Sequence, residues 1–97
     1  MKLLEEFLRR FPEDARAALA AFQVGRSRLD MGDAQGALKA LERAARDGAA
    51  FKEQIDARRV QALEQLGDLE ACRAARAAFL RAFPNGSFAD IVRRRCP

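Results

Sequence analysis

A six-residue segment of this chain occurs twice, as FLRRFP at 7–12 and as FLRAFP at 79–84, an offset of 72 residues. Between the two copies, the tripeptide MGD at 31–33 recurs as LGD at 66–68, 35 residues further on. A period of about 33 to 36 residues, with glycine in one turn and proline in the other, is typical of stacked helical hairpins. Because such a unit cannot bury its apolar face alone, successive units must pack together and leave an extended surface.

The turn residues divide the chain into six predicted helices, and no sustained two-residue alternation indicates a strand. Prolines end the first and fifth helices, because a proline disfavours the helical conformation of the residue before it. Glycines end the second and fourth helices, while Asp33, Asp68 and Ser87 are the predicted N-caps of the third, fifth and sixth. The predicted helices cover about 2–11, 12–31, 34–46, 50–66, 69–83 and 88–95.

Several small and large apolar residues occupy equivalent places in two successive units. In the first unit they are Val24-Gly25, Gly32, Ala37, Leu41 and Ala44, and in the second they are Gly67, Cys72, Phe79 and Pro84. This pattern resembles the tetratricopeptide repeat (TPR), in which small residues such as Gly25 and Ala37 let paired helices approach closely. The resemblance implies an all-α fold: a TPR-like right-handed superhelix of antiparallel helical hairpins, with about six helices.

The resemblance also divides the chain, taken as a single TPR-like domain over 1–97, into successive units. They are half a repeat at 1–12, a first repeat at 13–48, a second repeat at 49–84 and a capping helix at 85–97. A start on a lone second helix is expected for a fragment of a longer protein. Three arginines depart from the family pattern: Arg28 stands where an aromatic residue is common, and Arg59 and Arg76 occupy nominally apolar positions. Either the second hairpin is rotated, or these side chains reach acids such as Asp56.

The segments around the two Phe-Pro pairs resemble bacterial envelope TPR proteins, the branch of the Tol–Pal-associated protein and the outer-membrane assembly lipoprotein. The resemblance implies a non-enzymatic scaffold that binds peptide or helical segments of a protein partner in a concave groove. It also favours the bacterial periplasm or envelope over the cytoplasm. Carried over residue by residue, the partner-binding residues are Phe22, Gln23, Arg26, Asp30, Gln54, Arg58, Gln61 and Glu64, continued by Ile91 and Arg94. The alternative is that these residues form only the solvated side of amphipathic helices.

The composition argues against an enzyme and against a bound cofactor. The chain contains no His, Thr, Trp or Tyr, and therefore lacks the commonest general base and the commonest metal ligand. Ser27 and Ser87 have no base to activate them, and the carboxylates occur singly on charged faces. We expect no metal, no cofactor and no small-molecule substrate.

The net charge of +4 would attract acidic partners. Acids alternate with bases along most of the chain, however, and only Arg93–Arg95 forms a run of three. Polyanion binding through this run and Arg81 is a second hypothesis, although without Tyr or Trp for base stacking the sequence does not favour nucleic acid. A third hypothesis is self-association through the apolar residues of the N-terminal half repeat, Leu4, Phe7, Leu8 and Phe11. No stretch reaches about 18 consecutive apolar residues, so no transmembrane segment is predicted.

The two cysteines, Cys72 and Cys96, do not have metal-site spacing. If the last two helices are antiparallel about a turn near 84–85, facing residues have numbers that sum to about 169, and the cysteine numbers sum to 168. A disulfide between them would close a loop of roughly 25 residues and add about 3 kcal/mol of stability, and it would indicate an oxidising compartment. The alternative is two reduced thiols.

Overall fold

The computed structural model describes residues 2–12, 16–47 and 51–97. Within these ranges the chain forms six α-helices and no strand: α1 (Lys2–Arg10), α2 (Ala17–Asp30), α3 (Ala34–Asp47), α4 (Lys52–Leu66), α5 (Leu69–Ala82) and α6 (Ala89–Arg93). For the described residues, the prediction of an all-α chain of about six helices is therefore confirmed. Residues 13–15 of the predicted second helix and residue 50 of the predicted fourth helix lie outside the described residues.

The two glycine turns that the sequence repeats are also repeated in three dimensions. Gly32 and Gly67 adopt left-handed φ angles of 81° and 86°, a conformation that other residues reach only at a cost. The amides of Gly32 and Asp33 donate to the carbonyls of Leu29 and Arg28, and those of Gly67 and Asp68 donate to the equivalent carbonyls 35 residues later. Each aspartate then caps the next helix. The Asp33 carboxylate accepts from the Gly36 amide at 2.9 Å, and the Asp68 carboxylate accepts from the Ala71 amide at 3.1 Å.

The repeated Phe-Pro segment likewise folds twice in the same way. Phe7 and Phe11 pack with ring centroids 5.4 Å apart, and Phe79 and Phe83 pack at 5.3 Å. In both copies the amide of the second phenylalanine donates to the carbonyl of the first at 2.8 Å, which completes the last turn before the proline. The chain therefore contains a structural repeat as well as a sequence repeat.

Each helix packs on its neighbours in the chain, and contacts also link helices two places apart. The Arg43 side chain of α3 donates to the carbonyl of Leu8 in α1, and the Gln65 side chain of α4 donates to the carbonyl of Leu29 in α2. Helix α3 therefore lies beside α1, and α4 lies beside α2. The central helix α4 contributes Ile55 to the core of the first half and Val60 to the core of the second.

The predicted cap of the last helix is wrong. The N-cap of α6 is Phe88 rather than Ser87, and its side chain makes no capping hydrogen bond. Instead, the Glu53 carboxylate of α4 accepts from the Phe88 amide at 3.0 Å. The start of α6 is therefore fixed by a residue 35 positions earlier in the chain, which local sequence rules do not detect.

The three arginines that depart from the family pattern make polar contacts. Arg28 donates to Glu5 at 2.8 Å and to Asp33 at 3.3 Å, and so joins α1 to the turn between α2 and α3. Arg59 Nη1 lies 3.9 Å from Asp56 Oδ1 on the same helix, in agreement with the interpretation in which these arginine side chains reach acids. Arg76 instead binds backbone, donating to the carbonyls of Arg95 and Cys96 at 2.6 and 3.1 Å.

Candidate functional site

Seven of the eight predicted binding residues lie on α2 and α4, and none of the seven is buried. Along each helix they recur at spacings of three or four residues, which places them on the same side. Helix α2 packs directly on α4, and residues of α6 share a cleft with α4. We call the surface that these helices share the even-helix face. Its members are Gln23, Arg26 and Asp30 on α2, Gln54, Arg58, Gln61 and Glu64 on α4, Ile91 on α6, and Arg94 and Arg95 directly after α6.

Phe22 is the exception among the predicted binding residues. Its side chain is 9% exposed and belongs to the core of the first half, together with Leu8 and Leu41. The ring stacks on Phe51, with centroids 6.3 Å apart and planes 8° from parallel. Phe22 therefore holds α2 against the start of α4, because burial of its aromatic ring between them stabilises the fold.

A shallow cleft lies on the even-helix face where α4 meets α6. It is lined by Ala57, Arg58, Gln61, Phe88, Ile91, Val92 and Arg95, with a volume of about 120 Å³. Ligand pockets for drug-sized molecules are usually about 300 to 1,000 Å³. The cleft is therefore suited to a single side chain of a larger partner, and the half-exposed Ile91 forms its apolar rim.

Arg58 is one of two arginines that line this cleft, beside Arg95. Its Nη1 donates to Gln61 Oε1 at 3.0 Å, which orients the guanidinium. Burial lowers the pKa of Arg58, the positive charge of Arg26 lowers it further, and Asp30 partly opposes the shift. Arg95 adds a smaller repulsion. Arg58 is thus partly desolvated and faces more positive than negative charge, while the structure gives it no ion pair among the described residues.

Glu64 has a structural role that the sequence prediction did not include. One carboxylate oxygen accepts from Arg95 Nη1 at 2.7 Å, and the other accepts from the amide of Cys96 at 2.7 Å. These two hydrogen bonds, that from Arg95 first, lower the pKa of Glu64. Glu64 therefore braces the C-terminal segment and positions the Arg95 side of the cleft.

The C-terminal segment is also held covalently. Of the two alternatives for the cysteines, the structure has the disulfide: Cys72 of α5 and Cys96 are bonded, with their Cα atoms 5.7 Å apart. Both residues are buried in the core of the second half beside Val60 and Val92. The disulfide therefore fixes the segment that follows α6 to α5.

The three consecutive arginines do not act as one positive patch. Arg93 donates to Asp90 at 2.7 Å and to the carbonyl of Pro84 at 2.8 Å, while Arg95 pairs with Glu64. Of these three arginines, only Arg94 is both exposed and without an ion pair among the described residues. The run that suggested a polyanion site is thus distributed over separate local interactions.

Sequence reasoning missed Phe88 and Arg95, which complete the cleft. Their positions depend on Glu53 and Glu64, more than 30 residues away in the chain. An indirect signal was present, because the disulfide, one of the two alternatives for the cysteines, presupposes that the last helix folds back on the fifth.

Among residues 2–12, 16–47 and 51–97, no cluster of acids and cysteines has the geometry to hold a metal ion. The same ranges contain no helix that is both long and apolar enough to cross a bilayer. Comparison with protein-family models, with curated proteins and with solved structures finds no match to this chain.

Proposed function

We propose that this chain is a TPR-like protein-interaction module that binds peptide or helical segments of a partner across the even-helix face. The repeated glycine turns and the repeated phenylalanine pairs support a TPR-like architecture, a right-handed superhelix of antiparallel hairpins. In that architecture α2, α4 and α6 are the first helices of successive units, which line the concave surface. The module needs no cofactor and no catalytic group for this role.

The observation that carries the proposal is the position of Arg58 beside the apolar cleft. A peptide supplies both an apolar side chain, which fits the cleft, and oxygen acceptors, which fit a guanidinium. The disulfide supports an oxidising compartment, and the bacterial envelope is the location that we propose.

Affinity capture with paired charge-reversal variants tests this proposal. Wild type, Arg26→Glu/Arg58→Glu and the control Arg46→Glu/Arg81→Glu are immobilised and exposed to envelope and cytosolic fractions of the source cell. The control carries the same charge change on α3 and α5, at exposed arginines with no ion pair among the described residues. A protein retained by wild type and by the control, but lost by the first variant, is the expected result. Equal capture by all three would reject the even-helix face as the site.

Self-association is the second candidate function, and the exposure of α1 favours it. Leu3 is 81% exposed and Phe11 is 51% exposed. The rest of the predicted apolar stripe is used in packing, because Leu8 is buried and Leu4 and Phe7 pack on the same core. Light scattering of wild type at increasing concentration, with Leu3→Lys/Phe11→Lys as the comparison, tests this alternative; wild type that stays monomeric throughout would eliminate it.

A further inference from the structure

We propose that the even-helix face selects acidic peptide segments in which an apolar residue lies next to a carboxylate. The apolar side chain enters the cleft beside Ile91, and the carboxylate binds Arg58 and Arg26. This inference rests on the proposed function and adds the chemical class of the partner.

The charge balance of the even-helix face favours an anionic partner. Four arginines, Arg26, Arg58, Arg94 and Arg95, share this surface with two acids, Asp30 and Glu64. Glu64 is fully engaged, because its two oxygens accept from Arg95 and from the amide of Cys96. A basic peptide would therefore meet uncompensated positive charge, whereas a carboxylate would find cations that lack an ion pair among the described residues.

The geometry of Arg58 favours a carboxylate over a neutral acceptor. One guanidinium nitrogen is used by Gln61, which holds the planar group in place and leaves its other donors for a partner. An arginine fork that is already oriented loses less side-chain entropy on binding a carboxylate in a bidentate way. Since Arg58 is partly desolvated and repelled by Arg26, a negative charge at this point also relieves an existing repulsion.

The cleft places the apolar anchor directly beside this charge. Ala57 and Val92 are buried at its base, and Phe88 and Ile91 line it together with Arg58. Ile91 and Arg95 also line a second shallow cleft, with Glu64 and Arg94, so that the isoleucine forms a ridge between two depressions. An extended segment that inserts one apolar side chain next to the ridge brings its adjacent residue to the arginines.

The same surface suits a nucleic acid less well. A duplex presents a regular array of phosphates, and the carboxylate of Asp30 lies beside Arg26 in the groove that these residues line on α2. Single strands are held by stacking on exposed aromatic rings, and Phe88 is the one aromatic residue in the cleft. The mixed apolar and charged lining is that of a peptide site.

Selection from a displayed library of random dodecapeptides tests the inference on the disulfide-bonded protein. Recovered peptides are synthesised with a fluorophore, and their affinity is measured by anisotropy beside versions in which every acidic residue is replaced by its amide. We expect enrichment of aspartate or glutamate next to an apolar residue. Arg58→Gln is expected to weaken binding roughly tenfold or more, since it removes a charge-assisted hydrogen bond, whereas Arg81→Gln is expected to leave it unchanged.

The other outcomes separate this inference from the proposed function. Peptides that are not enriched in acids, but whose binding is lost in Ile91→Arg, would overturn the acidic preference and leave the peptide-binding face in place. A library that yields no peptide sensitive to either substitution would overturn both. Duplex DNA that binds more tightly than any selected peptide, and that competes with it, would replace a peptide partner by a polyanion.

Discussion

The Glu64 carboxylate holds Arg95 at 2.7 Å and, through its second oxygen, the backbone amide of the neighbouring Cys96. One side chain of α4 therefore fixes both an arginine at the rim of the cleft and the residue that carries the disulfide. The C-terminal segment is held to α4 by the Arg95–Glu64 ion pair and to α5 by the Cys72–Cys96 disulfide. The cleft therefore depends on that segment staying in place.

Replacing Glu64 by glutamine should lower the free energy of unfolding by about 1 to 2 kcal/mol, because two hydrogen bonds to a partly buried carboxylate are weakened. Urea denaturation followed by circular dichroism measures the change. Glu42→Gln on α3 is the matched control. Glu42 is exposed and has no ion pair within the described ranges, so the free energy of unfolding of this variant should stay close to that of wild type. Equal effects of the two substitutions would contradict the bracing role.

The stability that Glu64 contributes should depend on pH in one direction. Its pKa in the folded protein lies below the ordinary value of 4.5, so the carboxylate stabilises the fold when the pH is above the unfolded pKa. This contribution is lost as the pH falls from the unfolded value through the lower, folded one. The difference in unfolding free energy between wild type and Glu64→Gln should therefore be constant at pH values well above the unfolded pKa and shrink as the pH falls below it. A difference that grows as the pH falls would reverse the assigned sign.

Reduction of the disulfide should lower the free energy of unfolding by about 3 kcal/mol, as expected for a closed loop of this size. Denaturation with and without a dithiol reductant measures the effect, and Cys72→Ala/Cys96→Ala should not respond to the reductant. Loosening of the terminal segment should also speed tryptic cleavage after Arg93–Arg95. A reduced protein with wild-type stability and unchanged cleavage would show that noncovalent contacts alone hold α6.

Close approach of α2 and α3 should make Gly25 intolerant of a side chain. A Cβ atom at this position would lie 2.8 Å from Cγ and Cδ2 of Leu41. Gly25→Ala should therefore destabilise the fold by about 1 to 3 kcal/mol through overpacking. Leu41→Ala alone should cost about 2 to 5 kcal/mol. The double variant should lose less than the sum of the two, because the smaller residue at 41 makes room for the alanine. If the two changes in unfolding free energy were strictly additive, direct packing between positions 25 and 41 would be contradicted.

The elements that the sequence predicted well are those set by local chemistry. The glycine turns and the caps Asp33 and Asp68 each depend on residues within a few positions, so a repeated tripeptide was enough to place them. The disulfide was one of two alternatives that the sequence left open, and it depends on similar local geometry, because a proline turn near 84 determines which residues of the last two helices face each other. In both cases the physical cause lies within one hairpin.

The features that the sequence did not predict depend on contacts between distant segments. The cap of α6 comes from Glu53, and the C-terminal carbonyls are bound by Arg76, a residue that stands at an apolar position of the family pattern. Phe22 was assigned to the exposed groove by analogy with the family, but the ring of Phe51 provides it with a buried partner. Whether one helical residue faces the groove or the core is decided by such packing partners, which helical spacing does not identify.

The most direct test of the binding face is a chemical-shift map. The strongest peptide or partner segment obtained by capture or selection is titrated into ¹⁵N-labelled protein, and amide shifts are followed along the chain. We predict that the largest shifts fall at 23–30 on α2, 54–64 on α4 and 88–95 around α6. Shifts confined to α3 and α5, for example near Arg46 and Arg81, with the even-helix face unchanged, would contradict the account.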